Sequence, residues 1–159
     1  MKIGGHQLRE HVRLLVPLFA FIALVWALRL FLDKLGFPGT IVTAMSVTVA
    51  TSVSVLIAVV LIHVRGFGSY PSVVISSILL TCWAELLVVL AIVFSVTTGI
   101  ETIFTAPEFS LRGDDPHHLR HIFGHLTFGV GLGALTGSAF GCLILWMLRR
   151  MVPDSSRGT

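Results

Sequence analysis

Charged side chains are scarce in this chain of 159 residues. Asp, Glu, Lys and Arg make up 12% of it, whereas the hydrophobic set AVILMFWYC makes up 55%. An ordinary soluble domain has about a quarter of its residues charged. So few charges do not cover a globule of this size, and much of the surface must therefore face lipid or another protein. The composition argues against a soluble enzyme and against a disordered segment.

Cysteines and sequence signatures of catalysis are scarce as well. Cys82 and Cys142 both lie within apolar runs, where we expect free thiols that pack as small apolar side chains. The net charge of +3 comes from dispersed basic residues that form no stripe, which argues against a nucleic-acid partner. Phosphate-binding loops, nucleophile elbows and paired-histidine metalloprotease motifs are missing from the sequence.

Long apolar segments, in contrast, are abundant. Four of them cover residues 14–32, 41–64, 73–96 and 122–148, each near the roughly 20 residues needed to cross a bilayer core. Asp114 and Asp115 precede Pro116, so the fourth helix is predicted to begin at 116 and to extend to 148. The first segment is longer than a signal-peptide core and lacks a cleavage site, so we expect it to be retained. The sequence predicts one all-α domain over residues 1–152, an antiparallel bundle of four transmembrane helices, and a short cytoplasmic tail over 153–159.

The distribution of basic residues predicts the orientation of the chain, because cytoplasmic ends carry more Lys and Arg. The connection 97–121, which we predict to be extracytoplasmic, is acidic. Both termini are predicted to be cytoplasmic, in a bacterial-type plasma (inner) membrane. Seven basic residues fall on the side of the termini and four on the other: Lys2, Arg9, Arg13, Arg65, Arg149, Arg150 and Arg157, against Arg29, Lys34, Arg112 and Arg120.

Glycines recur every four residues along the fourth helix, which aligns them on one edge. In lipid, helix association relies on close backbone contact, and glycine permits such contact. This pattern predicts packing within the four-helix bundle or, as the alternative, self-association into a homo-oligomer. The glycines are Gly129, Gly133, Gly137 and Gly141.

Glu85 falls in the middle of the third apolar segment. An unpartnered carboxylate at that depth is costly, so the group must be neutral, paired, hydrated or ligating. No Lys or Arg lies at a matching depth. The sequence therefore predicts either a site for a proton or an ion, or a protonated acid that is hydrogen-bonded across a helix contact.

Four histidines lie at or near the start of the fourth helix: His117, His118, His121 and His125. On an ideal helix they share about one quarter of the surface. Histidines four apart can hold one metal ion, either as His117 with His121 or as His121 with His125. Glu101 and Glu108, in the preceding connection, are the predicted completing ligands. Imidazole with carboxylate suits zinc, iron or manganese. A pH-sensing role or simple placement at the membrane surface remains open.

The function predicted from these features is that of a small subunit or oligomeric module of a membrane assembly. It would bind a divalent metal on the extracytoplasmic side and would conduct or sense ions through Glu85. A purely structural membrane scaffold is the first alternative. A membrane metalloenzyme with a histidine and carboxylate site is the second. The predicted partners are the lipid bilayer and further membrane subunits or copies of the chain.

Overall fold

The chain folds into long helices. A computed structural model describes residues 2–105 and 118–151, and only the backbone of Thr43. The predicted tail and the stretch 106–117 lie outside these residues. The elements are β1 (Lys2–Ile3), β2 (His6–Gln7), α1 (Leu8–Lys34), α2 (Gly39–Ala44), α3 (Val47–Val64), α4 (Tyr70–Thr98), α5 (Leu119–Gly124), a π-helical segment (His125–Gly129) and α6 (Val130–Met151).

Four helical stretches of the described chain are long and apolar enough to cross a membrane. They are Leu8–Lys34, Gly39–Val64, Tyr70–Thr98 and Leu119–Met151, and the last comprises α5, the π-helical segment and α6. The prediction of an all-helical chain with four helices long and apolar enough to span a membrane is confirmed. Cys82 and Cys142 are free thiols, as predicted.

The second span is broken, which the sequence analysis did not predict. A single helix over 41–64 was expected, but α2 ends at Ala44 and α3 begins at Val47. Met45 has ψ 56°, outside the helical range, and the Ser46 hydroxyl accepts a hydrogen bond from the Val49 amide at 3.4 Å. Ser46 thus caps α3, because its side chain satisfies a backbone donor that the helix start leaves open.

Two apolar clusters hold the helices together. The larger cluster joins α1, α3 and α4. Its most deeply buried residues, with no exposed surface, are Leu15, Ile22, Leu80 and Ile92. The smaller places Leu145 of α6 against Val59 and Val73. Polar contacts between helices supplement this packing: the indole of Trp83 donates to the Phe19 carbonyl at 3.0 Å. The core therefore lies between α1, α3 and α4, with α6 packed on one side.

The glycine edge of the fourth span faces α4 of the same chain. Residue numbers rise along one helix as they fall along the other, so these two helices run in opposite directions. Three of the four contacts leave no room for a larger residue: a Cβ on Gly133 would lie 2.6 Å from Cγ2 of Thr81, whereas a Cβ on Gly137 would meet Ser77 at an ordinary 3.5 Å. Because α4 already occupies this edge, the contacts favour packing within the bundle over self-association through it. The facing pairs are Gly129 with Glu85, Gly133 with Thr81, Gly137 with Ser77 and Gly141 with Val73.

The N-terminus forms a short hairpin that precedes α1. β1 pairs antiparallel with β2, with Lys2 opposite Gln7. The hairpin turn packs against the connection between α3 and α4, since Gly4 and Gly68 both lie tightly against Ser72. A guanidinium nitrogen of Arg149, near the end of α6, donates to the Gly68 carbonyl at 3.2 Å. These contacts tie the hairpin, the connection and the end of α6 together at one end of the bundle.

Candidate functional site

The intramembrane acid has an imidazole partner. Oε2 of Glu85 lies 2.6 Å from Nδ1 of His125. Glu85 is near the midpoint of α4, and His125 begins the π-helical segment. The side chains of Glu85 and His125 keep 20% and 28% of their exposure, so both are reachable and neither is sealed in the core. The sequence analysis looked for Lys or Arg at this depth and assigned His125 to the membrane surface, so it missed the pair.

A second histidine extends the pair into a chain. Nε2 of His125 lies 3.1 Å from Nε2 of His121, one helical turn earlier. His121 is 8% exposed, so this series of three side chains leads from the part-exposed carboxyl group of Glu85 to a buried imidazole. We call Glu85, His125 and His121 the acid–imidazole chain. His125 stands at its centre with one ring nitrogen toward each neighbour.

The local helix geometry places this chain against α4. His125–Gly129 is π-helical, with hydrogen bonds to the fifth residue instead of the fourth. The segment ends at Gly129, and a Cβ there would lie 2.7 Å from Cδ of Glu85. Glycine is therefore required for the carboxyl group to approach the backbone of the fourth span. Such widened turns are frequent at functional sites.

A cavity of about 350 Å³ adjoins the acid–imidazole chain. It lies between α3, α4 and the fourth span, and Arg29 of α1 also lines it. The guanidinium of Arg29 is 5.1 Å from the centroid of the Phe104 ring, which is itself buried. Six hydroxyl residues line the cavity: Ser46, Thr48, Thr51, Ser52, Thr81 and Thr136.

The hydroxyls of this lining are mostly bonded to their own helices. Thr51 donates to the Val47 carbonyl at 2.8 Å, and Ser52 donates to the Thr48 carbonyl at 2.9 Å. Thr136 donates to the Leu132 carbonyl at 2.7 Å in the same way. A hydroxyl has one proton to donate and two lone pairs, so each of these oxygens retains only acceptor capacity.

The structure brings together only part of the predicted metal site. His121 and His125 lie side by side, as predicted for histidines four apart. His118 was expected on the same helix face but precedes α5, with φ 51° in the left-handed region, which is uncommon for a residue other than glycine. Its ring centroid is 6.2 Å from that of His121. The fourth span thus begins at Leu119, and the predicted start at 116 and His117 lie outside the described residues.

The predicted carboxylate ligands do not join the histidines in the described chain. Glu101 is exposed, does not line the cavity, and uses its backbone carbonyl to accept from Nζ of Lys34 at 2.7 Å. Glu108 lies outside the described residues. Over residues 2–105 and 118–151, no group of three or more His, Cys, Asp and Glu side chains is placed to hold a metal ion. Among the described residues, the carboxyl group that contacts His125 is that of Glu85.

A second pair of histidines lies near the N-terminus, and the sequence analysis did not single it out. His6 stacks on Phe67 with ring centroids 3.9 Å apart, and His11 meets the same ring edge-on at 5.0 Å. His11 is fully buried, and its Nδ1 lies 3.0 Å from the Gln7 carbonyl. We call His6, His11 and Phe67 the terminal cluster. Its partners are aromatic and backbone groups, which is typical of packing.

Searches of this chain against protein-family models, curated proteins and solved structures gave no match.

Proposed function

We propose that this chain is a multi-pass membrane protein that binds protons at Glu85 and passes them along the acid–imidazole chain. Its role would be that of an ion-conducting or ion-sensing module of a membrane assembly. The observation that carries the proposal is the position of His125, hydrogen-bonded to Glu85 through one ring nitrogen and to His121 through the other.

Two arrangements of protons fit the same heavy-atom distances. In the first, His125 donates from Nδ1 to the Glu85 carboxylate and accepts at Nε2 from the protonated Nε2 of His121. In the second, protonated Glu85 donates to Nδ1, and His125 donates from Nε2 to His121. A proton that arrives at Nδ1 of His121 converts the first arrangement into the second, because each hydrogen-bonded proton moves one step toward Glu85. The carboxylate is neutralised without movement of a heavy atom, which is the property that a proton shuttle needs.

The position in the membrane supports a functional interpretation. An ionisable residue at the centre of a spanning helix costs about 3 kcal/mol on insertion, so such residues are rare and serve ion or proton pathways. A protonated Glu85 bonded to a hydroxyl would be sufficient for packing. The observed partner is an imidazole, a group that itself exchanges protons near neutral pH.

Proton flux into proteoliposomes tests the proposal. Purified protein is reconstituted with a pH-sensitive dye inside, and flux is driven by a potassium gradient and valinomycin. We expect Glu85→Gln to reduce flux at least tenfold, because the amide cannot take up the proton. Glu101→Gln is the matched control, since that carboxyl is exposed and lies away from the cavity. Wild-type flux no faster than in protein-free liposomes would instead favour the structural scaffold.

The topology belongs to the same proposal. We propose an antiparallel four-helix bundle in the plasma (inner) membrane with both termini cytoplasmic, as the distribution of basic residues predicts. Cysteine accessibility tests it, after the native Cys82 and Cys142 are replaced by alanine. A Gly113→Cys variant should react with an impermeant thiol reagent from the extracytoplasmic side. Reaction only from the cytoplasmic side would reverse the orientation.

Metal binding and assembly have their own tests. Elemental analysis of the purified protein, with and without His121→Ala, addresses a divalent metal at the histidines and the metalloenzyme alternative together. Metal that is present in the wild type and lost in the variant would support a site, whereas metal-free protein would remove both. The native mass in detergent determines whether the chain assembles into an oligomer.

A further inference from the structure

We infer that the cavity beside the acid–imidazole chain binds an amphiphilic organic cation, with its protonated amine at Glu85 and its apolar tail directed into the bilayer. The inference rests on the proposed function only in using the same carboxyl group. It adds a ligand class, which the proton chain alone does not imply.

Three of the six hydroxyl residues that line the cavity favour a ligand that donates hydrogen bonds. Thr51, Ser52 and Thr136 have each given their one hydroxyl proton to a carbonyl of their own helix, so they offer only acceptor oxygens. Within the described residues, Glu85 makes its one hydrogen bond through Oε2, which leaves Oε1 as a further acceptor. A primary ammonium group has three N–H donors and one positive charge. It therefore satisfies several of these oxygens and the carboxylate together.

The edge of the cavity indicates where such a ligand enters. Thr48, Ser52 and Thr136 line the cavity and are also exposed. They lie on spans that are long and apolar enough to be surrounded by acyl chains. A ligand that reaches the cavity between α3 and the fourth span thus comes from the bilayer, and an apolar tail can remain there. The volume of about 350 Å³ is at the lower end of the range for small-molecule sites.

The positive charge of Arg29 argues against a cationic ligand in this cavity. Arg29 lines the same cavity, and its guanidinium lies over the Phe104 ring at 5.1 Å. An anionic ligand beside Arg29 would leave the acceptor oxygens of Thr51, Ser52 and Thr136 unused. The experiment therefore includes an anion of the same chain length.

Equilibrium dialysis with protein in phosphatidylcholine nanodiscs tests the inference, with protein-free nanodiscs as the reference for partitioning into lipid. The probes are decylammonium, decyltrimethylammonium, decanol and decyl sulfate, which share one tail. We expect saturable binding of decylammonium, at least tenfold tighter than binding of decyltrimethylammonium, which has no N–H donor. Decanol and decyl sulfate should show no saturable binding.

Variants assign the site. Glu85→Gln should weaken decylammonium binding at least tenfold, whereas Glu101→Gln should leave it unchanged. Thr51→Val removes one acceptor with little change in shape and should weaken binding about threefold to tenfold. This second variant keeps the test valid if Glu85→Gln does not fold, which thermal unfolding would reveal.

Several outcomes would overturn the inference. Tighter binding of decyl sulfate would make the cavity an anion site on Arg29. Equal binding of decyltrimethylammonium, or no saturable binding of decylammonium, would remove the amine site. Dialysis does not measure flux, so a protein that conducts protons but binds no amine would refute this inference alone. A protein that binds the amine but conducts no protons would refute the proposed function alone.

Discussion

The acid–imidazole chain and the terminal cluster both contain two histidines, yet their imidazoles have different surroundings. His125 meets a carboxyl oxygen and a second imidazole nitrogen, beside a cavity. His11 is fully buried against Phe67, and in the described chain its Nε2 has no hydrogen-bond partner. The two clusters thus differ most in the partners of their imidazoles, and this difference is the basis for proposing proton exchange at one cluster and packing at the other.

Replacement of each central histidine by phenylalanine gives the largest expected contrast. His125→Phe interrupts the acid–imidazole chain and leaves Glu85 without its imidazole partner, so we expect proton flux to fall at least tenfold. We also expect the free energy of unfolding in detergent to fall by about 1–3 kcal/mol. His11→Phe keeps an aromatic ring against Phe67 and removes a buried nitrogen that lacks a partner. It should leave flux unchanged and alter the free energy of unfolding by less than about 1.5 kcal/mol.

Proteoliposome flux and unfolding in detergent, measured on the same preparations, check this contrast. Equal losses of flux in the two variants would show that the two clusters do not differ in function.

The glycine beneath the carboxyl group provides the next test. A Cβ at Gly129 would lie 2.7 Å from Cδ of Glu85, so Gly129→Ala should push the acid away from His125. We expect the free energy of unfolding to fall by about 1–2 kcal/mol because of overpacking, with a parallel loss of flux. Gly131→Ala is the control, since a Cβ at Gly131 meets nothing within 4 Å. It should stabilise the helix by up to about 1 kcal/mol. Identical unfolding of the two variants would contradict the close contact at Gly129.

Double-mutant cycles compare the two histidine–carboxyl pairs directly. Glu85 and His125 are 2.6 Å apart, whereas Nδ1 of His6 and Oε2 of Glu10 are 3.8 Å apart with side chains 30% and 52% exposed. We expect a coupling energy of about 1–2 kcal/mol for the first pair. For the second we expect about 0–0.5 kcal/mol, because solvent screens exposed charges. Unfolding of the single and double glutamine variants supplies both values, and a coupling for His6 and Glu10 as large as that for Glu85 and His125 would refute the distinction.

The last test concerns the aromatic ring of the terminal cluster, for which we expect no change in proton flux. Phe67→Leu removes the stacking on His6 and the edge contact with His11, so we expect a loss of about 0.5–1.5 kcal/mol in the free energy of unfolding. Proton flux should stay at the wild-type level. A loss of flux in this variant would mean that the terminal cluster contributes to ion handling.

Much of the fold follows from the sequence because its signals are local. Runs of about 20 apolar residues specify spanning helices whatever their neighbours are. Pro71 lies in the first turn of α4, a position that proline tolerates because the backbone N–H it lacks has no helical partner there. The break at Met45 and Ser46 escaped prediction, because the sequence there stays apolar or hydroxylated and contains neither glycine nor proline.

The candidate site was predicted only in pieces. Helical spacing indicated that His121 and His125 are neighbours, and the apolar surroundings of Glu85 indicated a special acid. The contact between His125 and Glu85 was not predicted, because the start-of-helix position of His125 suggested the membrane surface, whereas Glu85 lies near the middle of its apolar segment. The glycines were predicted to serve helix packing or self-association, but Gly129 is also the residue against which the carboxyl group of Glu85 rests.

The sequence by itself determined that the chain forms four helices long and apolar enough to be covered by lipid, since it has 12% charged residues and four long apolar runs. It also determined which helix edge allows close approach, because the absence of a side chain is a property of each glycine. Only the tertiary structure decided that Glu85 and His125, forty positions apart, lie 2.6 Å from each other. That distance depends on the position of α4 relative to the fourth span along the helix axes. Contacts between the helices fix this relative position, and no local sequence pattern specifies those contacts.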